Sequence, residues 1–196
     1  MTIVDVGIQK QDPYQGKIKK PCQQVILGFD LVDDMDEDEK PIRMTTGNFP
    51  LNVSLDYKTK SIHYKSKLGA IVKAIDPSNK LFNMNLTNLI NQPCLVTVKI
   101  VEKTGNNGEK KVYANFGGCN PVPNMKGFTV ADSTNAPFIF DFDNPTLDTW
   151  TALNERLKAK CREAVNYPGS NLQAIDEIFM TSQAESAPSM GSDVPY

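Results

Sequence analysis

The chain has 196 residues, 40% of them hydrophobic, and a formal net charge of −2. This length buries one sizeable core, which predicts one domain with appendages rather than two domains. No apolar run approaches the roughly 20 residues that cross a bilayer, and the first residues form no basic and apolar leader, so we expect a soluble, intracellular protein.

The first half of the chain is predicted to be mainly strand. Residues 1–17 mix apolar residues with turn formers and are expected to form an arm or a short edge strand. Over residues 17–32, apolar side chains at every second position predict a half-buried strand with a basic start at Lys17, Lys19 and Lys20. Six acids among residues 33–39 predict a solvated loop. Two β-prone stretches in residues 42–57, separated by Gly47-Asn48, predict a hairpin.

A helix and a second hairpin follow. Apolar spacings of three and one predict a helix over residues 66–75, which Asp76-Pro77 ends. A short helical stretch at 86–90 leads to an apolar strand at 95–101, and Asn107-Gly108 turns the chain into a strand at 111–119. The order of three strands, a helix and two strands is that of an OB-fold. The predicted fold class is therefore mainly β: a five-stranded OB-fold barrel with a helix between strands 3 and 4.

The remaining third adds elements to the predicted barrel. Phe138, Phe140 and Phe142 alternate along one added strand and are expected in the core. An amphipathic helix is predicted from Asn144-Pro145 to Val165, because its apolar residues recur every three or four positions. A weak short helix at 172–179 and a Ser/Ala/Pro-rich acidic sequence follow. We expect an OB-fold domain with a C-terminal helix over residues 1–166 and a flexible, disordered acidic tail over 167–196.

Positive and negative charges lie in separate parts of the chain. Residues 58–126 hold eleven lysines and three acids, whereas residues 30–39 hold seven acids and residues 176–196 hold four, in both cases without a base. A single lysine is commonly scattered surface charge, but segregation on this scale favours a cationic groove that contacts phosphate.

Lysines and aromatic rings are interleaved in the basic part of the chain. A protein that coats single-stranded DNA needs a cationic track with rings on which bases stack. Any one of these rings could equally fill the core, and the tyrosines are favoured because a hydroxyl tolerates a wet groove. The residues predicted to bind DNA are Lys17, Lys19, Lys20, Tyr57, Lys58, Lys60, Tyr64, Lys65, Lys67, Lys99, Lys103, Lys111, Tyr113 and Phe116.

Little in the sequence favours catalysis. His63 is the only histidine, and the phosphate-binding glycine-loop motif is missing, so no enzyme activity, cofactor or metal site is predicted. A metal-dependent nuclease stays an alternative because residues 33–39 could hold Mg²⁺, although nuclease carboxylates converge from separate strands. The four cysteines occur singly, which indicates buried free thiols in a reducing cytosol rather than a zinc site or a disulfide framework.

Three motifs resemble a family of phage single-stranded DNA-binding proteins. Ser61–Leu68 resembles the family's S-L-H-E-K-S-x-L, Leu86–Val96 resembles D-L-x-N-L-L-G-K-P-C-L-L, and Val112–Asn115 with Pro121–Pro123 resembles Y-A-x-I…P-L-P. The resemblance covers residues 4–126 and implies an OB fold, single-stranded DNA binding and a place in the cytoplasm of an infected bacterial host. The family's Arg-Lys-rich helix ending in Trp-Arg-Gly has no counterpart, because residues 69–79 contain neither arginine nor tryptophan.

The last four residues carry a separate resemblance. Asp193, Val194, Pro195 and Tyr196 are similar to the Asp-Ile-Pro-Phe terminus of bacterial single-stranded DNA-binding proteins, whose tails dock replication and repair enzymes. We therefore expect a protein that binds and protects single-stranded DNA, largely independently of sequence, in phage replication or recombination, and that recruits partners through its acidic C-terminus. The alternative is a recombination mediator or adaptor with secondary DNA contact. Self-association is left open.

Overall fold

The long strand β2 (Cys22–Met35) organises the largest sheet. In the computed structural model, which describes residues 1–13, 15–56, 58–105, 108–124 and 129–186, β2 pairs antiparallel with β1 (Thr2–Gln9) on one side. On its other side it pairs antiparallel with β3 (Pro41–Thr45) and β4 (Phe49–Pro50). The strand predicted over residues 17–32 is confirmed, but it begins at Cys22 and continues to Met35. Residues 33–39, the predicted solvated loop, are exposed, and the first three of them belong to the strand.

Strand β1 lies inside the sheet, so the prediction of an arm or a short edge strand is wrong. It is hydrogen-bonded to β2 and, in parallel, to β9 (Phe138–Phe140), which joins from the far end of the chain. Ile3 faces one core and Val4 and Val6 face another, so the strand is buried on both sides. At a bulge in β1, Gly7 has φ of +75°, and a Cβ there would lie 2.6 Å from the Phe142 ring.

The predicted hairpin at Gly47-Asn48 is also wrong. Strands β3 and β4 do not pair with each other; they follow one another along the same edge of β2. Thr46 holds the connection in place, because its hydroxyl accepts the Leu27 N–H at 3.0 Å and its own N–H donates to the Leu27 carbonyl at 2.8 Å. A single helical turn, α1 (Leu51–Ser54), then leads to the two-residue strands β5 (Leu55–Asp56) and β6 (Ser61–Ile62).

Helix α2 (Lys67–Ile75) confirms the prediction from spacing. Its first turn is capped by Ser66, whose hydroxyl accepts the Gly69 N–H at 3.0 Å. Just after the helix, the Asp76 carboxylate accepts the N–H groups of Leu81 and Phe82 at 2.8 and 2.9 Å. Burial opposes ionisation of Asp76, but these backbone hydrogen bonds lower its pKa below the ordinary value. A 3₁₀ turn at Leu86–Leu89 stands where the second helical stretch is predicted.

The second predicted pair of strands is confirmed and forms a sheet of its own, while Asn107 of the predicted turn lies outside the described residues. Strand β7 (Leu95–Thr104) pairs antiparallel with β8 (Lys110–Asn120), with a bulge between Thr97 and Val98. Only the base of this hairpin packs on the core, through Val96, Phe116 and Cys119. The rest of the hairpin is largely exposed to solvent.

The sheet-rich architecture with helices is confirmed, whereas a closed five-stranded barrel is not seen in the part of the chain that the structure describes. The strands fall into three sheets: β3-β2-β1-β9 with β4 attached, β5-β6, and β7-β8. The hairpin approaches the main sheet through side chains, with the Phe29 and Phe116 rings 5.4 Å apart and nearly parallel, rather than through a backbone ladder.

Three helices cover the other face of β1 and β9. The single helix predicted from 144 to 165 is divided into α3 (Leu147–Thr151) and α4 (Glu155–Arg162), because Thr146 and Asn154 each cap a separate start. Phe140 and Phe142 are buried against Trp150 and Leu172, which confirms that this aromatic stripe belongs to the core.

A third helix, α5 (Asn171–Ser186), contains the short helix predicted at residues 172–179 and extends beyond it into the predicted tail. Leu172 is completely buried and Asp176 is 4% exposed, so the start of the expected flexible tail is part of the folded unit. Trp150 and Arg162 hold the Asp176 carboxylate, contacts that the sequence pattern gives no reason to expect. Residues 187–196, and with them the predicted partner-binding residues Asp193 to Tyr196, lie outside the described residues.

Candidate nucleic-acid interface

Four of the predicted DNA-binding residues lie together on one face of the β7–β8 hairpin. Cross-strand pairing places Lys99 opposite Asn115, Val101 opposite Tyr113, and Lys103 opposite Lys111. Because side chains alternate along a strand, these six residues point to the same side. We call this side, which also carries Leu95, Thr97 and Asn120, the basic face. Its described residues include no acid.

The lysines and the tyrosine of the basic face are presented to solvent together. Tyr113 is 44% exposed, and the Lys103 Nζ lies 5.8 Å from the centroid of its ring. Lys103 and Lys111 stand directly opposite each other, an arrangement of like charges that destabilises a hairpin. A bound anion such as phosphate relieves that repulsion, so the face is suited to an anionic, planar-ringed ligand.

The opposite side, which we call the apolar face, consists of Val96, Val98, Ile100, Val112, Ala114, Phe116 and Cys119 with Glu102 and Lys110 near the tip. Ile100 and Val112 are 66% and 62% exposed. Phe116, which is also predicted to bind DNA, lies on this side, and its half-buried ring stacks on Phe29 within the core cluster. The alternation that places Tyr113 on the basic face necessarily places Phe116 on the other side.

A second basic surface surrounds the loop before α2. Lys58, Lys60, Lys65 and Lys67 are exposed, and Tyr64 is 41% exposed with the Lys73 Nζ 5.6 Å from its ring centroid. Helix α2 packs on the same side of the hairpin as Phe116. The lysines of this loop and the lysines of the basic face therefore do not form one continuous surface. Tyr57 lies outside the described residues.

Lys17, Lys19 and Lys20 lie at the end of β2 that is distant from the base of the hairpin. They precede Cys22 at one end of β2, whereas the hairpin base packs at Phe29. Seven residues of extended strand separate the two points by roughly 23 Å, at about 3.3 Å per residue. These three exposed lysines thus form a separate group that the sequence joined to the others by charge alone.

Two residues that the sequence analysis missed complete these surfaces. Asn115 lies on the basic face beside Tyr113, and strict alternation along β8 was the signal for it. Lys73 contacts the Tyr64 ring from the last turn of α2, a contact that depends on the preceding loop folding back onto the helix. No local pattern indicated that contact.

A cavity of about 570 Å³ lies beside the hairpin base and includes Asp30, Cys94 and Asn135 in its lining. The Asp30 carboxylate accepts hydrogen bonds from Arg43 Nε at 2.7 Å, Ser133 Oγ at 3.0 Å and Asn135 Nδ2 at 3.2 Å. Burial opposes its ionisation, but these bonds lower its pKa below the ordinary value. Asp30 thus fixes segment 133–135 against β2.

Among the residues that the structure describes, no three His, Cys, Asp or Glu side chains converge to hold a metal ion. Over the same ranges, no helix combines the length and the apolar character needed to cross a bilayer.

No protein-family model matches the chain, and comparisons with curated proteins and with solved structures also give no significant match. The resemblance to phage single-stranded DNA-binding proteins stays a prediction from the sequence motifs.

Proposed function

We propose that the protein binds single-stranded DNA along the basic face of its hairpin and does so largely independently of sequence. The observation that carries this proposal is the grouping of Lys99, Lys103, Lys111 and an exposed Tyr113 on a face without an acid. Lysines contact phosphates of any sequence, and a tyrosine ring stacks on any base. No chemistry on the DNA is required of these residues.

The placement of like charges supports an anionic ligand. Lys103 and Lys111 are paired directly across the two strands, so each lysine faces a like charge rather than a carboxylate. Glu102 lies instead on the apolar face, where its carboxylate is 3.9 Å from the Lys110 Nζ. The pair of like charges on the basic face therefore gains from a bound phosphate backbone, whereas Lys110 on the apolar face already has a carboxylate beside it.

We further propose that the fold is an open relative of the OB-fold. Strands β1 to β3, helix α2 and the β7–β8 hairpin occur in the OB order, with the two-residue strands β4, β5 and β6 between β3 and α2. The Phe29–Phe116 stack joins the hairpin to β2. The motifs at residues 61–68, 86–96 and 112–123 support a role in phage replication or recombination within the bacterial host. Asp193 to Tyr196 are proposed to recruit partner proteins.

A recombination mediator or adaptor is the second candidate function, and the exposed apolar face favours it. Exposed apolar patches on a sheet commonly mark protein contacts. A mediator would bind a partner protein through Ile100 and Val112, and its affinity for DNA would be low. Titration of the full chain with labelled oligonucleotides separates the two functions, because only the first requires a tight, salt-dependent complex.

Two neighbouring lysines provide a matched test. Lys111 lies on the basic face and Lys110 on the apolar face, so Lys111→Ala and Lys110→Ala remove the same charge from opposite sides of one strand. On single strands, each lost phosphate contact lowers the slope of log affinity against log salt by about 0.7. We expect Lys111→Ala to lower the slope by that amount and Lys110→Ala to leave it unchanged. Equal slopes for wild type and Lys111→Ala would overturn the assignment of the basic face.

A further inference from the structure

Two of the four cysteines meet at the base of the hairpin. The Cys94 and Cys119 sulfur atoms lie 3.7 Å apart. Cys94 immediately precedes β7, and Cys119 of β8 pairs with Val96 of β7. The two cysteines are therefore diagonal neighbours across the strand pair. Both are free and only partly buried, whereas Cys22 and Cys161 are buried.

We propose that Cys94 and Cys119 form an oxidisable dithiol, which hydrogen peroxide converts into an intramolecular disulfide that fastens the base of the hairpin. A disulfide has a sulfur–sulfur distance of about 2.0 Å, so the two sulfurs must approach by about 1.7 Å. Cys94 lies next to Pro93 and outside the hydrogen-bonded strand β7, which begins at Leu95. We therefore expect the segment that carries Cys94 to make this approach.

The oxidant has access to one of the two sulfurs. Cys94 lines the cavity of about 570 Å³ beside the hairpin base, whose lining also includes the polar residues Asn91, Gln92 and Asp132. Hydrogen peroxide is small and polar enough to enter such a cavity. Cys161, by contrast, is fully buried, and burial raises the pKa of its thiol to about 12.

The reaction balances with hydrogen peroxide as the two-electron oxidant. The Cys94 thiolate attacks one peroxide oxygen, the O–O bond breaks, and a sulfenic acid and hydroxide form. The Cys119 sulfur then attacks the Cys94 sulfur, the S–O bond breaks, and water leaves with the proton of Cys119. Overall, two thiols and one peroxide give one disulfide and two waters.

The environment of the pair assigns these roles. In the reduced pair the Cys94 thiol donates to the Cys119 sulfur. Once Cys94 is a thiolate, the Cys119 thiol can donate in return, which lowers the pKa of Cys94 and raises that of Cys119. Because Cys94 also lines the cavity, it is the thiol that reacts with peroxide, and Cys119 resolves the product.

The disulfide would change the hairpin without adding a contact. It would close the 25-residue separation between Cys94 and Cys119 and fix the register on both sides of the bulge at Gly117. Local opening of the hairpin base should become rarer in the oxidised protein. Amide hydrogen exchange in β7 and β8 reports this opening directly.

The test treats the full-length protein with a small excess of hydrogen peroxide and measures the intact mass and a non-reducing peptide map. We expect a product about 2 Da lighter, a cross-link between the peptides that carry Cys94 and Cys119, reversal by dithiothreitol, and slower exchange in the hairpin. Cys94→Ser and Cys119→Ser should abolish the product. Cys22→Ser and Cys161→Ser are matched controls that should retain it.

The proposal is overturned if wild-type protein yields no cross-link, or only sulfinic acid, or a cross-link that involves Cys22 or Cys161. The wild-type peptide map decides this even if a serine variant folds poorly. No DNA enters the experiment, so its failure is distinct from failure of the proposed DNA binding.

Discussion

Replacing Asp176 with asparagine tests whether α5 is part of the folded unit. This carboxylate joins α5 to the rest of the C-terminal core, and its residue is 4% exposed. It accepts hydrogen bonds from Arg162 Nε at 2.6 Å, Arg162 Nη2 at 2.7 Å, Tyr167 Oη at 2.7 Å and Trp150 Nε1 at 3.0 Å. Burial and the bond to Asp176 raise the pKa of Tyr167 to about 12. An asparagine directs an N–H₂ group toward these donors and removes the charge that balances Arg162.

The expected loss of stability follows from these contacts. Removing one partner of a buried ion pair costs about 3–5 kcal/mol, because the other charge is left without compensation. The Arg162 side chain is 32% exposed and is partly rehydrated in the variant, which favours the lower end of that range. A loss of about 3 kcal/mol lowers the melting temperature of a domain of this size by roughly 6–12 °C.

Thermal unfolding followed by circular dichroism measures this effect. Glu177→Gln is the matched control, because Glu177 is the neighbouring acid on α5 and is exposed. We expect the control to melt within about 2 °C of wild type, as exposed substitutions do. Equal melting temperatures for Asp176→Asn and wild type would refute the docking of α5 and return residues 171–186 to the predicted flexible tail.

The same contact gives a pH dependence with a defined sign. The Arg162 guanidinium, helped by Tyr167 and Trp150, lowers the pKa of Asp176 below its ordinary value of 3.8. The stabilisation is therefore complete above pH 3.8 and is lost as the pH falls through the lowered pKa. The difference in melting temperature between wild type and Asp176→Asn should be constant from pH 7 to 5 and shrink below pH 3.8.

Two further predictions concern DNA. Tyr113→Ala should weaken binding of single-stranded DNA by about 5- to 150-fold, equivalent to 1–3 kcal/mol, at an unchanged melting temperature, because the ring is 44% exposed. A fall in melting temperature with unaltered affinity in fluorescence anisotropy would place that ring in the core instead. Deleting residues 181–196 should leave the melting temperature within about 2 °C, because residues 181–183 are exposed. It should also tighten DNA binding modestly at low salt, since Glu185 and Asp193 would no longer compete with phosphate; unchanged affinity would exclude that competition.

The grouping of candidate residues that the structure shows follows from local rules. The grouping of Lys99, Lys103, Lys111 and Tyr113 on one face needs only strand alternation and a hairpin turn, both of which are visible in the sequence. Charge alone predicted less well. It assigned Lys17, Lys19 and Lys20 to the same binding surface as the hairpin lysines, although these three precede β2 and lie away from the hairpin base.

The sequence by itself determined the elements whose limits are set by neighbouring residues: α2 from its Ser66 cap and its Asp76-Pro77 end, the β7–β8 hairpin, and the buried aromatic stripe at Phe138–Phe142. Tertiary structure alone decided which elements meet. Strand β1 is interior because β9 pairs with it from more than 130 residues away, and Phe116 is a core residue because Phe29 stacks on it. Asp176 appears in the sequence as one more acid of a tail, and only the convergence of Trp150, Arg162 and Tyr167 makes it an anchor. Hydrophobic periodicity and helix capping depend on residues a few positions apart in the sequence. Burial of a charge or a ring depends on partners that are distant in the sequence, and no local pattern encodes those partners.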